Sequence, residues 1–128
     1  MATITLYHYT SASGAKCIQR SKRINESRPK SGGGDDARHG RGVYLTSIAP
    51  NETTKLKLML NNYDGTPDTM LKRVIAENTR KIEKVVVVEL PAYLVKRVES
   101  ERDIYVVKGD IDLTNFTYDI RDGPQIAF

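Results

Sequence analysis

The sequence predicts an α+β domain in which a few short helices lie to one side of a split or curved mixed β-sheet. Three observations predict this class: an alternating strand near the start of the chain, a valine-rich strand around residue 87, and two helical patterns between them. With 128 residues and 39% hydrophobic content, the chain can bury about two thirds of its unfolded surface around one core. We therefore expect a single domain over residues 1–128.

The first strand is predicted by a clean alternation over residues 4–10. Successive side chains of a strand point to opposite faces, so Ile4, Leu6 and His8 share the face that turns toward the core. His8 therefore projects from the core side at the end of the strand. A serine directly after the strand, Ser11 or Ser13, caps a helix that ends near residue 20 and turns small and apolar side chains inward.

The later elements are marked by caps, breakers and composition. Pro50 cannot donate to a ladder, so the strand before it stops there, and the helix after it presents Leu56, Met59 and Leu60 on one face. Asp68 caps the second helix. The valine run is typical of a central strand buried on both faces. In chain order we expect a strand at 23–27, a polar loop at 28–42, a strand at 43–46, helices at 52–60 and 69–78, the central strand at 85–90, a helical turn within 92–98, and strands at 103–107 and 115–120.

Charge is distributed unevenly along the chain. Residues 20–41 carry seven basic and three acidic side chains, whereas the remainder carries thirteen of each, so the whole net charge of +4 lies around one glycine-rich segment. A local positive field of this kind suits a phosphate-bearing ligand or an acidic partner. A solvated basic loop is the plain alternative.

Several classes of protein are excluded or disfavoured. No stretch approaches the roughly 20 apolar residues of a membrane span, and the first twenty residues resemble no signal peptide, so we expect a soluble chain that acts in the cytosol and does not bind membranes. The single cysteine, Cys17, cannot form an intrachain disulfide and is predicted to be a packed helix thiol. Asp35 and Asp36 lack further ligands at a recognisable spacing, so no metal is expected.

The segment at residues 38–47 is the main candidate for a binding site. Gly40 and Gly42 permit close approach of a ligand, and the strand that follows carries one aromatic residue, Tyr44. Arg38 and Arg41 offer guanidinium groups, whose planar forks match phosphate oxygens. The lysine and hydroxyl pair of a P-loop is missing, so a loop of that type is not expected.

Two stretches, Leu6-Tyr7-His8-Tyr9-Thr10 and Gly40-Arg41-Gly42-Val43-Tyr44-Leu45, resemble the diphtheria-toxin and poly(ADP-ribose)-polymerase branch of the ADP-ribosyltransferases. That branch carries a histidine on its first strand, a tyrosine on a later strand and an acidic residue near the end. Asp103 best matches the acidic position, ahead of Glu99 and Glu101, because an apolar run at residues 104–107 begins directly after it. A histidine, tyrosine and aspartate signature is similar to a small toxin family within the branch.

The resemblance implies a single-domain ADP-ribosyltransferase-like fold and an enzyme that uses NAD as co-substrate, without a metal. His8 is expected to hydrogen-bond the adenosine-side ribose, Tyr44 to stack on nicotinamide, and Asp103 to stabilise the positive charge that develops on the ribose. Tyr9 departs from the usual glycine after the histidine, but its main chain still offers a clamp for the carboxamide. The full set of implied NAD contacts is His8, Tyr9, Thr10, Arg38, Arg41, Gly42, Tyr44, Ser47 and Tyr63.

Several alternatives remain open at this point. ADP-ribose can pass to a protein or nucleic-acid acceptor, as in a toxin or delivered effector with an immunity protein as partner, or to water, as in an NAD glycohydrolase. A second reading is a relative of the RNA 2'-phosphotransferases, suggested by Arg38, His39 and Arg41. A third is an inactive module that binds ADP-ribose or nucleic acid through the basic segment, whose affinity would fall steeply as salt rises.

Overall fold

The computed structural model describes residues 2–27, 40–62, 79–98 and 102–126. These residues form a mixed α+β fold with antiparallel sheets and two α-helices, which confirms the predicted fold class. The strands are β1 (Thr3–Thr10), β2 (Arg23–Ile24), β3 (Val43–Leu45), β4 (Lys84–Pro91), β5 (Lys96–Arg97), β6 (Tyr105–Val107), β7 (Ile111–Asp112) and β8 (Tyr118–Asp122), and the α-helices are α1 (Ala12–Ser21) and α2 (Lys55–Asn62).

The first sheet places β4 between β1 and β8, as expected for the valine-rich strand. Its pairing with β1 is long, running from Thr3 opposite Pro91 to Thr10 opposite Lys84. The predicted burial on both faces is only partly correct, because Val87 is half-buried and Glu89 is exposed. An antiparallel sheet can leave part of one face to solvent, and a uniform run of β-branched residues does not reveal this.

The second sheet has the order β3-β6-β5, and within the described ranges one main-chain bridge pairs it with the first sheet. There the N–H of Tyr7 donates to the carbonyl of Thr46 (2.8 Å), and the N–H of Thr46 donates back to Tyr7 (3.0 Å). A small third sheet pairs β2 with β7. Among the described residues, the main-chain pairing between β1 and the end of β3 therefore consists of this one bridge.

The main core lies on the His8 side of β1 and β4. Leu6, Val86, Val88 and Leu90 are fully buried there, and α1 covers them with Ile18. Ser11 caps α1, since its Oγ accepts from the N–H of Gly14 (3.0 Å), which confirms the predicted cap. Cys17 was expected to be packed but is exposed.

Helix α2 begins and faces differently from the prediction. Residues Pro50–Glu52 form a separate 3₁₀ turn, and Thr54 then caps α2 by accepting from the N–H of Lys57 (3.2 Å). Leu58 and Met59 are buried and Leu56 is partly buried against the same cluster, whereas Leu60, which was expected to point inward, is 41% exposed. The apolar residues of this short helix occur on more than one of its sides, so the face that is buried is decided by the cluster it packs against, which includes Tyr9 and Ile82.

Three strands of the structure begin or end at other residues than the sequence predicted. The strand expected at 23–27 ends at Ile24, and Ser27 makes only one bridge, to Gly42. Asp103 lies outside the ladder, because β6 begins two residues later. The last strand begins at Tyr118, after a 3₁₀ turn over Leu113–Asn115.

Parts of the prediction concern residues that are not described. The helix at 69–78, most of the polar loop, Asp35, Asp36, Glu99 and Glu101 lie outside the described ranges. Within those ranges, no helix is long and apolar enough to cross a membrane.

Candidate active site

His8 lies at the end of β1 with its ring turned toward β3. Its Nδ1 is 3.0 Å from the main-chain oxygen of Tyr44. A carbonyl oxygen only accepts, so Nδ1 carries the proton and donates. Burial lowers the pKa of His8, and the hydrogen bond to Tyr44 opposes that effect only in part. The ring is therefore neutral near pH 7, and its Nε2 is a hydrogen-bond acceptor.

We use the term notch for the region between Tyr9 and Tyr44, where the main-chain pairing of β1 with β3 has stopped after the bridge between Tyr7 and Thr46. Antiparallel pairing would join Tyr9 to Tyr44, two residues along each strand from the bridge between Tyr7 and Thr46. The His8 ring instead takes the Tyr44 carbonyl. Main-chain groups alternate in direction along a strand, so the N–H and C=O of Tyr9 point to the same side as those of Tyr7, into this notch.

The side chains of Tyr9 and Thr10 are engaged in packing. The Tyr9 hydroxyl donates to the carbonyl of Ile48 (2.7 Å), its ring packs with the small cluster of Leu58, Met59 and Ile82, and burial raises its pKa. Thr10 packs against α1, where a Cβ on Gly14 would lie 2.2 Å from its Oγ1. Both side chains thus stabilise the fold, and the main chain of Tyr9 is the part that remains suited to a ligand.

Tyr44 occupies the middle of β3 and is half-buried. Val43 and Leu45 on either side of it are buried in the main core, so the tyrosine ring lies on the opposite face of the strand. Its hydroxyl donates to the carbonyl of Gly40 (2.7 Å). Gly40 has a φ of 99°, a conformation that favours glycine, and this turn lets the chain pass within reach of the hydroxyl.

Asp103 is held by the residues that follow β3. Its Oδ1 accepts from the hydroxyl of Thr46 (2.9 Å) and from the N–H of Ser47 (2.7 Å), and its Oδ2 accepts from the hydroxyl of Ser47. A carboxylate oxygen has two lone pairs, so these bonds saturate Oδ1 and leave one acceptor position on Oδ2. Thr46 is nearly fully buried, which makes this a rigid support.

Asn61 belongs to this arrangement, although the sequence marks it only as the residue that follows the helix predicted at 52–60. Its Oδ1 accepts from the N–H of Asp103 (2.7 Å), and its Nδ2 donates to the carbonyl of Asp103 (2.9 Å). Nothing in the sequence pairs these two residues, because they are 42 positions apart. A polar residue three positions after the buried Leu58 of an apolar helix was the available signal.

The remaining predicted contacts have varied outcomes. A Cβ on Gly42 would lie 2.6 Å from Val106 and 2.7 Å from the carbonyl of Val107, so this glycine serves the packing of β3 against β6. Arg41 forms an ion pair with Glu26 (2.7 Å). The hydroxyl of Ser47 donates to Asp103, and its predicted contact with nicotinamide stays a prediction. Arg38, His39 and Tyr63 lie outside the described residues.

The structure thus brings the three predicted residues of the signature to one short strand. His8 contacts the main chain of Tyr44, and Asp103 contacts the two residues that follow β3. An acceptor imidazole, a half-buried ring and a supported carboxylate are chemically suited to holding a ribose and stabilising positive charge on it. Within the described ranges, no group of three or more histidine, cysteine or acidic side chains is placed to hold a metal ion.

Comparison with known proteins adds one match. A family model described as "HYD1 signature containing ADP-ribosyltransferase", a family of toxins, matches residues 6–115, which includes His8, Tyr44 and Asp103. Neither the curated proteins nor the solved structures gave a match. Because the matched region covers most of the chain, the protein belongs to the family of ADP-ribosyltransferases that contain the HYD1 signature.

Proposed function

We propose that this protein binds NAD in the notch between β1 and β3, breaks the bond between nicotinamide and ribose, and transfers ADP-ribose to a macromolecular acceptor, as a toxin or effector domain. The proposal is carried by two contacts in a chain that belongs to an ADP-ribosyltransferase family: His8 contacts the main chain of Tyr44, and Asp103 contacts the two residues that follow β3. The same placement supports a single catalytic domain over residues 1–128.

The proposed roles follow from the donors and acceptors at each position. Nicotinamide leaves with the electron pair of its bond to C1' of the ribose, which gives that carbon oxocarbenium character. The open acceptor position on Asp103 Oδ2 takes a ribose hydroxyl, and the carboxylate stabilises the developing charge. The acceptor group then forms its bond to C1' and loses a proton. That proton passes to a base on the acceptor or to solvent.

The other contacts orient the dinucleotide. His8 Nε2 accepts from a hydroxyl of the adenosine-side ribose, which the neutral ring allows. Tyr44 stacks on nicotinamide, an offset contact that contributes about 1 kcal/mol beyond area burial. The main chain of Tyr9 binds the carboxamide. Arg41, which already pairs with Glu26, would reach the diphosphate together with Arg38.

The test is to incubate the purified protein with NAD labelled in the adenine part and to measure both free nicotinamide and label on macromolecules, with and without cell lysate. Nicotinamide release together with labelled protein or nucleic acid supports the transferase. Release without labelled acceptor supports the NAD glycohydrolase. Absence of release in every condition contradicts the proposal. Asp122→Asn, a change at an exposed carboxylate of β8, serves as the control variant.

The RNA 2'-phosphotransferase alternative gains no support from the described residues. It depends on Arg38 and His39, which lie outside them, and on Arg41, whose guanidinium pairs with Glu26. Activity on 2'-phosphorylated RNA that survives Asp103→Ala would reverse this preference.

A further inference from the structure

We propose that Asn61 is a positioning residue, which fixes the main chain of Asp103 so that the Asp103 carboxylate points at the reacting ribose. The inference rests on the proposed function, because it assigns Asn61 to the same site and lets it act only through Asp103. No contact between Asn61 and the substrate is required.

The Asn61 amide clamps both main-chain groups of Asp103. Its Oδ1 accepts from the Asp103 N–H (2.7 Å), and its Nδ2 donates to the Asp103 carbonyl (2.9 Å). The same Nδ2 lies 3.4 Å from Oγ1 of Thr46, which itself donates to the Asp103 carboxylate. The Asn61 side chain therefore contacts the main chain of Asp103 on both sides of its Cα, and it also reaches the Thr46 hydroxyl.

The strand register explains why this clamp is needed. Val43 pairs with Val107 and Leu45 with Tyr105, so a continued ladder would place Ser47 opposite Asp103. In that ladder the Ser47 N–H would donate to the main-chain carbonyl of Asp103. It donates instead to the Asp103 carboxylate (2.7 Å). The carboxylate has thus taken the place of a main-chain acceptor, and the main chain of Asp103 needs a different partner.

A side-chain amide is the natural replacement for a missing strand partner. Like a peptide group, it presents a donor and an acceptor side by side, and it can satisfy an N–H and a C=O of one residue together. Half-buried main-chain groups without partners would cost free energy and would leave the backbone at Asp103 free to turn. The clamp therefore fixes the backbone position from which the Asp103 side chain extends.

Helix α2 supplies a rigid base for the clamp. Leu58, which is fully buried, precedes Asn61 by three residues and lies on the same face of the helix. In the reverse direction, the guanidinium of Arg102 donates to the main-chain carbonyl of Asn61 (3.2 Å), one of the carbonyls that a helix end leaves without an intrahelical partner. The end of α2 and residues 102–103 thus hold each other.

A double-mutant cycle separates positioning from a general contribution to folding. The variants are Asn61→Ala, Asp103→Ala and the double variant, with nicotinamide release measured as kcat and KM for NAD. Asn61→Ala should lower kcat about 10- to 100-fold, as a displaced catalytic group does, and should change KM less than about twofold. In the Asp103→Ala background the same change should have no further effect on kcat, because the group it positions is gone.

Two further variants and one measurement complete the design. Asn115→Ala, at an exposed asparagine remote in sequence from the clamp, should leave kcat unchanged in both backgrounds. Asn61→Asp keeps the size of the side chain and the acceptor but loses the donor, so it should lower kcat even if Asn61→Ala fails to fold. Amide hydrogen exchange needs no activity: in the wild-type protein the Asp103 N–H should be protected about as well as the Tyr105 N–H in β6, and Asn61→Ala should remove that protection selectively.

The outcomes distinguish this inference from the proposed function. If Asp103→Ala lowers kcat but Asn61→Ala and Asn61→Asp do not, or if the two changes multiply independently, the inference is wrong and the proposed function stands. An unprotected Asp103 N–H in the folded wild-type protein also overturns the inference. If the wild-type protein releases no nicotinamide, or Asp103→Ala is fully active, the proposed role of Asp103 is wrong and the inference fails with it.

Discussion

Ser47 donates to both carboxylate oxygens of Asp103, with its main-chain N–H to Oδ1 (2.7 Å) and its hydroxyl to Oδ2. This pairing joins the end of β3 to a residue 56 positions later. Ser47 therefore supports the carboxylate, in addition to the nicotinamide contact predicted for it.

Removing the charge of Asp103 should have the largest effect on catalysis. We expect Asp103→Ala and Asp103→Asn each to lower kcat by about 100-fold or more, as loss of one charge-stabilising group does, with little change in KM for NAD. Asparagine keeps the shape but not the charge. Steady-state nicotinamide release measures both constants, and Asp122→Asn is the control. Full activity of Asp103→Asn would contradict the assignment.

Ser47→Ala tests the support of the carboxylate. The variant loses the hydroxyl donor but keeps the main-chain N–H, so we expect kcat to fall by about tenfold, clearly less than for Asp103→Ala, and stability to fall by about 1 kcal/mol. The measurements are nicotinamide release and urea unfolding. A large rise in KM with unchanged kcat would instead favour the direct nicotinamide contact that the sequence suggested.

The lowered pKa of His8 predicts a pH dependence of stability. The folded protein holds the ring neutral below the pH at which an unfolded histidine, with a pKa near 6.5, takes up its proton. The unfolded state then binds more protons, so the contribution of His8 is complete above about pH 6.5 and is lost progressively as the pH falls through that value. The melting temperature should fall accordingly between pH 7.5 and pH 5.5.

Variants assign that pH dependence to one residue. The chain has two histidines, so His8→Asn should reduce the loss of stability toward acid pH, whereas His39→Gln should leave it in place. Asparagine can still donate to the Tyr44 carbonyl, which limits the damage to the fold. If His39→Gln removes the dependence and His8→Asn does not, the assignment is wrong.

Gly42 should tolerate a side chain poorly because of its neighbours in β6. An added methyl group would lie 2.6 Å from Val106 and 2.7 Å from the Val107 carbonyl, so Gly42→Ala should destabilise the protein by about 1–3 kcal/mol. Gly40→Ala is the comparison, since no atom lies within 4 Å of its added methyl group and only its φ of 99° opposes the change. Urea unfolding should rank Gly42→Ala as the more destabilising variant.

Local patterns were sufficient to predict the parts of the fold that are set by alternation and caps. The strand with His8, the Ser11 cap and the central position of β4 are confirmed, because each follows from residues adjacent in sequence. Helix α2 was predicted to begin three residues too early, because Thr54 rather than the residue after Pro50 caps it. Met59 is buried as predicted, but Leu60 is exposed, because the buried face depends on packing against Tyr9 and Ile82, which are distant in sequence.

The architecture of the site could be predicted only in part. Its three signature residues were predicted through resemblance to a family, but the contacts that hold Asp103 join residues more than 40 positions apart. The Ser47 N–H donates to the Asp103 carboxylate instead of a main-chain carbonyl because the ladder between β3 and β6 stops before these residues. No single segment of the sequence encodes where that ladder stops. The contact between Asn61 and Asp103 was missed for this reason.

The long separation of these contacts also governs when the site comes into existence during folding. His8 meets Tyr44 across 36 positions, and Asp103 meets Ser47 across 56. Loops of that length close late in folding, because the chain loses conformational entropy before the contacts that compensate for this loss are formed. A newly made or partly unfolded chain therefore carries every signature residue and still has no assembled site. Catalysis and the completion of the tertiary structure should appear together in time.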